Sequence, residues 1–391
     1  MFFQLSFWII IAAGFAALQL FGDASVRTRA AILSLVGISG IVFVLNMPFA
    51  GAATLVVSVA AIFVGCRRLL ASGPRDGLGL ALLSISPLLI AWVLGKLGAA
   101  LESPHLAAFV FVGMSYLLVK SWTLLKDIVD GKVRDIDPLM VAAYFLHLPT
   151  FIIGPMHYFS EFYVALRHPC ALSGADLVEI LFRFVLGLFK VTIVSSLLAP
   201  ASLLGVQSLE TISVLWLIKA AFIYSLVLYL DFSGYCDMAI ATSRLLGVEV
   251  PENFNWPFLA TSIRDFWRRW HITFSRALTA HIFVPLTRAL QVRLPNAPGL
   301  IAAYAYFGTF LFCGYWHGAT ANFLVWGLWH AFGLIVQDAW TRVRRRAGIK
   351  PTIKKTWFMT ARDTIMTFSF VSVGWIFFVL PISKLQHVKL W

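Results

Sequence analysis

The chain has 391 residues, 60% of them hydrophobic and only 13% charged, where soluble domains carry roughly 25% charged residues. Its net charge is +13, but the basic residues sit in short segments between long apolar runs, the pattern that orients membrane helices. These numbers exclude a soluble domain and give no reason to invoke nucleic acid. They predict an all-α polytopic membrane protein.

Apolar runs of about 18–25 residues recur, each long enough to cross about 30 Å of hydrocarbon. A β-barrel would show short alternating segments instead. The first run, residues 1–21, lacks a basic leader and a small-residue cleavage site, so it reads as a retained span. Further spans are expected over residues 30–48, from Gly51 to Arg67 and Arg68, over 78–97 and over 106–125. Basic segments follow the first span (Arg27, Arg29), the third (Arg67, Arg68, Arg75) and the fifth (Lys126, Lys132, Arg134). That alternation places the N-terminus outside and the basic loops in the cytoplasm.

Regularity then degrades. Pro138, Pro149, Gly154 and Pro155 interrupt residues 137–158, and proline ends or kinks a helix. Broken backbone at membrane depth must be buried in protein or line a cavity, so residues 146–158 are expected to form a broken or re-entrant segment beside the site. Residues 176–198 read as one long helix and 212–230 as a span. Residues 251–285 mix Arg264, Asp265, Arg268, Arg269 and Arg276 with Phe266, Trp267, Trp270 and Phe274. Such a mixture fits an interfacial helix or a polar cavity wall. Spanning composition returns over 301–314 and 321–340, with Trp316-His317-Gly318 in the break between them. Arg342, Arg344, Arg345, Arg346, Lys350, Lys354 and Lys355 form the densest basic loop, and a last span covers 363–380. The count is about eleven membrane segments in a single domain, residues 1–391, without internal repeats.

Polar groups among such apolar neighbours are costly in a bilayer and mark sites. His317 lies between Trp316 and Gly318, where a neutral imidazole suits general-base work; the alternative is a structural histidine in a kinked helix. His271 ends Arg268-Arg269-Trp270-His271, with interfacial contact as its alternative. Asp231 and Asp237 flank Phe232-Ser233-Gly234-Tyr235, and one of them is expected to pair with Arg264 or Arg268, since unpaired buried charge is rarely kept. Pro251-Glu252-Asn253-Phe254-Asn255 reads as a polar turn that positions the next helix. The arginines after Ile263 suit a phosphate or lipid headgroups. His147, His157 and His330 fit structural or binding roles. Cys66, Cys170, Cys236 and Cys313 are scattered without metal spacing, and no metal site is expected.

Taken together, several stretches resemble the membrane-bound O-acyltransferase family. They are Tyr229-Leu230-Asp231-Phe232-Ser233-Gly234-Tyr235-Cys236-Asp237-Met238-Ala239, Pro251-Glu252-Asn253-Phe254-Asn255, Arg264-Asp265-Phe266-Trp267-Arg268-Arg269-Trp270-His271-Ile272, Tyr315-Trp316-His317-Gly318 and Trp326-Gly327-Leu328-Trp329-His330. Leu148-Pro149, Ile153-Gly154-Pro155, Gly187-Leu188-Phe189-Lys190 and Gly374-Trp375-Ile376-Phe377-Phe378 extend the resemblance over about residues 113–378. It is strongest to the bacterial branch of alginate and peptidoglycan O-acetyltransferases and the teichoic acid D-alanyltransferase.

The resemblance implies a ring of tilted helices around a central tunnel, and transfer of a short acyl group from a cytoplasmic thioester to an external hydroxyl. The acyl group is expected to be acetyl and the acceptor a cell-surface polysaccharide or its carrier. His317 matches the family's histidine, and His271 its second catalytic position. Asp231, Ser233, Tyr235, Asn253, Arg264, Trp267, Arg268, Trp270, Trp316 and His330 are the expected substrate and donor contacts. The co-substrate would be acetyl-CoA or a phosphopantetheine carrier protein, with no bound cofactor. Expected partners are membrane lipid, that donor and a periplasmic esterase-like transferase, in a bacterial inner membrane. D-alanyl transfer from a carrier protein is the alternative within the family, and a flippase or transporter of an anionic lipid-linked substrate the alternative outside it. Residues 276–285 depart from the bacterial pattern of a Trp and Arg-Asp-Tyr ahead of a proline, so no contact carries over there. The short stretch after Phe378 leans toward the D-alanyltransferase-like or another short subgroup.

Overall fold

In the computed structural model the chain is helical, with no β-strand among the described residues. The structure describes all residues except 22–24, 73–76, 102, 104–109, 112, 170–171, 207–212, 350–355 and 386–391. The start of the expected 106–125 span, Arg75, Cys170, Lys350, Lys354 and Lys355 therefore lie outside the described residues. The chain divides into two compact units, one of residues 1–188 with 235–251, the other of 189–234 with 252–391.

The first unit contains α1 (Leu5–Leu20), α2 (Val26–Phe43), α3 (Phe49–Ser72), α4 (Gly77–Ala100), α5 (Met114–Val129), α6 (Pro138–Phe145), α7 (Phe159–Arg167) and nearly all of α8 (Gly174–Phe189). α2 buries Leu33, Val36, Gly37 and Gly40 yet leaves Leu35, Ile38 and Val42 exposed. A helix apolar on both faces belongs in hydrocarbon rather than in water. α5 differs from the expected span at both ends. It starts after Gly113, whose φ of 94° favours glycine, and it continues past Lys126. It buries polar groups among its leucines: Asp127 takes the Lys132 Nζ at 3.0 Å and the Ser160 hydroxyl at 3.4 Å. Buried Lys120 donates to the Tyr144 carbonyl and lies over that residue's ring. The broken segment is as expected. Asp137 caps α6 by accepting the Leu139 N–H at 2.9 Å, Pro138 opens the helix where a missing N–H costs nothing, and only a 3-10 turn, Leu148–Thr150, follows.

The second unit holds a π-helical turn (Lys190–Ser195), the start of α9 (Val214–Leu245), α10 (Ile263–Arg269), α11 (Ile272–Leu278), α12 (Val284–Arg293), α13 (Pro298–His317), α14 (Ala321–Arg346) and α15 (Trp357–Val379). Three expectations change. The expected span over 212–230 does not end at Leu230: α9 runs through the Asp231–Tyr235 motif to Leu245, because no proline intervenes and the first left-handed stop is Gly247 at φ 73°. The interfacial stretch is two seven-residue helices broken at His271, followed by a π-helical turn, Thr279–Phe283. Arg342, Arg344, Arg345 and Arg346 are the last turns of α14 rather than a loop.

Among the described residues, six helices are long and apolar enough to cross a membrane: α2, α3, α4, α9, α13 and α15, with α1 a shorter apolar helix. This is a membrane protein of several spans.

Candidate active site

His317 is the last residue of α13. Gly318 follows with extended backbone, and a methyl group there would overlap the Phe323 ring. Gly314 and Gly327 likewise leave room for the carbonyls of Phe323 and Phe310. Glycine thus lets α13 and α14 meet backbone to backbone, as small residues do between membrane helices. The His317 ring is half-buried and walled by aromatic rings: Trp316 at 4.8 Å, Trp326 and Phe378 at 5.1 Å, and Phe274 at 6.3 Å between centroids.

His271 joins α10 to α11 in a left-handed backbone conformation, φ 44° and ψ 53°. A non-glycine residue there is uncommon and is held by its surroundings. Residues 253–255 supply that hold. The Asn253 carbonyl accepts the Ile272 N–H at 2.9 Å, and the Asn255 N–H donates to the Arg269 carbonyl at 2.9 Å. They satisfy backbone groups that helix ends leave unpaired. The His271 ring is 4% exposed as a residue, packed edge-on to Phe232 at 4.8 Å and against Phe274 at 5.1 Å. It lies outside the six candidate spans. Burial first, then the neighbouring His317, pushes its imidazole well below the ordinary 6.5. The two histidines therefore share one aromatic neighbour, Phe274.

The same unit has a cavity of about 370 Å³ lined by Arg264, Trp267, Arg268, Ser275, Thr279, Tyr306 and Thr309 with apolar side chains; neither histidine lines it, and Ser275, whose N–H donates to the His271 carbonyl at 2.9 Å, is the link between them. Arg264 is tied down: it donates to the Tyr306 hydroxyl at 3.2 Å and meets Asp338 at 3.4 Å. Arg268 is exposed and has no acidic partner among the described residues. Trp267 is buried against Phe310 at 5.0 Å and Trp326 at 6.1 Å, and its indole N–H has no hydrogen-bond partner among the described residues.

The remaining expected residues scatter. Trp316 stacks on Phe274 at 4.3 Å. Trp270 is buried among Phe254, Phe266 and Trp375. His330 is fully buried within 5.1 Å of both Trp267 and Trp326, with neither ring nitrogen hydrogen-bonded among the described residues. Asp231 and Ser233 lie on α9 in the second unit, while Tyr235 belongs to the first, near Phe2. The expected pairing of Asp231 or Asp237 with Arg264 or Arg268 does not form. Asp237 meets Arg183 at 3.1 Å and Arg264 takes Asp338 instead, because the α9 helix carries Asp237 into the first unit. His147 bonds Ser243 at 2.9 Å in the first unit. Tyr306 escaped the sequence reading, and Phe274, Trp326 and Phe378, although inside stretches it named, received no site role, since an aromatic in an apolar run looks like any core residue.

The second unit thus holds two histidines on one aromatic ring and an arginine-lined cavity. Residues 94–380 match the MBOAT, membrane-bound O-acyltransferase family, and the chain belongs to that family. It is 33% identical over 239 residues to a peptidoglycan O-acetyltransferase of Helicobacter pylori, covering 61% of this chain and 43% of that protein. It is 28% identical over 299 residues to a teichoic acid D-alanyltransferase of Streptococcus thermophilus, covering 71% and 70%. It is 31% identical over 269 residues to a probable alginate O-acetylase AlgI of Azotobacter vinelandii, covering 68% and 50%. The matched stretch thus spans half or less of two of these three relatives.

Proposed function

We propose that this protein transfers a short acyl group, acetyl, from a thioester donor on the cytoplasmic side to a hydroxyl of a cell-surface polysaccharide or its carrier. The observation that carries this reading is the packing of His317 and His271 against one ring, Phe274, in the unit that also holds the arginine-lined cavity. The neutral His317 imidazole takes the proton of the acceptor hydroxyl. The oxygen attacks the thioester carbonyl, the C–S bond breaks, and the thiolate leaves with the proton. Arg268 and Arg264 would hold the donor's phosphate as charge-assisted partners. The architecture that goes with this reading is about eleven membrane segments around a tunnel open to both faces. It sits in the inner membrane with the N-terminus outside and hands its product to a periplasmic esterase-like partner.

A second reading is D-alanyl transfer from a phosphopantetheine carrier protein, favoured by the teichoic acid D-alanyltransferase whose length the match covers to 70%. Purified protein is offered labelled acetyl-CoA, then a D-alanyl carrier protein. Consumption of the first supports acetyl transfer, and of the second alone D-alanylation. His317→Ala should abolish turnover of the true donor while the protein remains folded and monodisperse. Undiminished turnover would end the assignment.

A further inference from the structure

The side-chain oxygen of Asn253 accepts three hydrogen bonds inside the second unit. They come from the Thr273 backbone N–H at 3.2 Å, the Thr273 hydroxyl at 2.9 Å and the His271 Nδ1 at 3.1 Å. The backbone N–H settles the chemistry. It only donates, so the Asn253 atom facing it must be the amide oxygen and not the nitrogen. That oxygen has no hydrogen to give. The His271 Nδ1 in contact with it must therefore carry the proton. A neutral imidazole has a single N–H, so His271 Nε2 presents a lone pair.

We propose that Asn253 is a positioning residue that fixes His271 as its Nδ1–H tautomer and so makes His271 Nε2 a proton acceptor at the reaction site. This reassigns Asn253 and gives His271 a definite role. Asn253, expected as a substrate or donor contact, instead holds His271 and the start of α11, and the single N–H of neutral His271 is committed to Asn253, which leaves none for a developing oxyanion. The inference rests on the acyl-transfer reading for its consequence, though not for the tautomer itself. The proton leaving the acceptor hydroxyl is then held by the pair of imidazoles before it reaches the departing thiolate sulfur. The hydroxyl O–H and thioester C–S bonds break as the ester C–O and thiol S–H bonds form. The oxyanion is left to other donors.

The local structure is built to keep this arrangement. Asn253 is buried, its backbone carbonyl caps α11 through Ile272, and Thr273 grips the same amide oxygen twice. The His271 backbone is left-handed, which aims its Nδ1 at Asn253, and Phe232 and Phe274 leave the ring little freedom to flip.

The test is 15N NMR of histidine-labelled full-length protein in nanodiscs, with His271 assigned by its loss in His271→Gln, alongside thioester turnover across pH. The wild type should show a protonated Nδ1 and an unprotonated Nε2 at His271. Asn253→Leu should mix the tautomers and lower turnover on the order of 100-fold, the scale of a lost proton-transfer group. Asn253→Asp keeps an acceptor for Nδ1 and should restore the single tautomer. Its carboxylate should move the acid limb of the pH profile up by about one unit, since a nearby opposite charge favours the imidazolium. An Nε2–H tautomer in the wild type overturns the inference. So does an unmoved pH limb in Asn253→Asp combined with an unchanged tautomer in Asn253→Leu. Correct tautomers in a wild type that turns over no thioester would instead defeat the acyl-transfer reading and leave the Asn253–His271 assignment standing.

Discussion

Replacing Gly314 with alanine tests whether helix contact places His317, the residue we propose as the base. Gly314 lies three residues before His317 on α13, and its Cα faces the backbone of α14. A methyl group there would overlap the Phe323 carbonyl oxygen and lie within 3.3 Å of Leu324 Cα. Both obstacles are backbone, so neither can swing aside as a side-chain tip would. Overfilling a packed interface costs about 1–3 kcal/mol, and α13 must move away from α14 to relieve it. His317 moves with it, because it ends the same helix. A displacement of about 1 Å at a catalytic group lowers turnover on the order of 100-fold. The assay is thermal unfolding in detergent together with thioester turnover. Gly299→Ala is the control: it makes the same change in the same helix, where nothing lies within 4 Å. If the two variants melt and turn over alike, close approach of α13 and α14 does not set the position of His317.

Arg268→Met should raise the KM for an anionic thioester about tenfold with kcat unchanged, as loss of one charge-assisted bond predicts. It should also weaken the dependence of KM on salt; an effect confined to kcat would refute phosphate binding. Lys132→Met should destabilise the first unit by about 1–3 kcal/mol, because it leaves Asp127 buried with a weakened set of partners, measurable as a lower melting temperature. The hydrogen bond to Asp127 raises the Lys132 pKa above its ordinary 10.5. The wild-type advantage should therefore be complete below 10.5 and fade as pH rises through the higher folded value. An advantage that grows with pH would refute the pairing.

The class of this protein was legible in residue order alone. Long apolar runs, scarce charge and the broken stretch after Pro138 are properties of local chain, and they gave the membrane helices and the 3-10 turn at Leu148–Thr150. The motif around His317 also announced itself, because a polar residue in an apolar run is costly wherever it lies. Boundaries were less legible: α9 ran on through Asp231, since its packing outweighs the weak helix preference of Asp, Ser and Gly.

Partnership was not legible. Residues 253 and 271 meet when a loop folds back on a helix break, and 274 and 317 when two helices pack; no local signal says which buried aromatic will wall a histidine. Nor does sequence show that Asp237 goes to Arg183 while Arg264 goes to Asp338. Charges choose partners by distance, and tertiary packing alone sets those distances. The tautomer of His271 is the sharpest case. The sequence supplies an imidazole, but only the fold puts an amide oxygen, identified by a backbone N–H, against one of its two nitrogens.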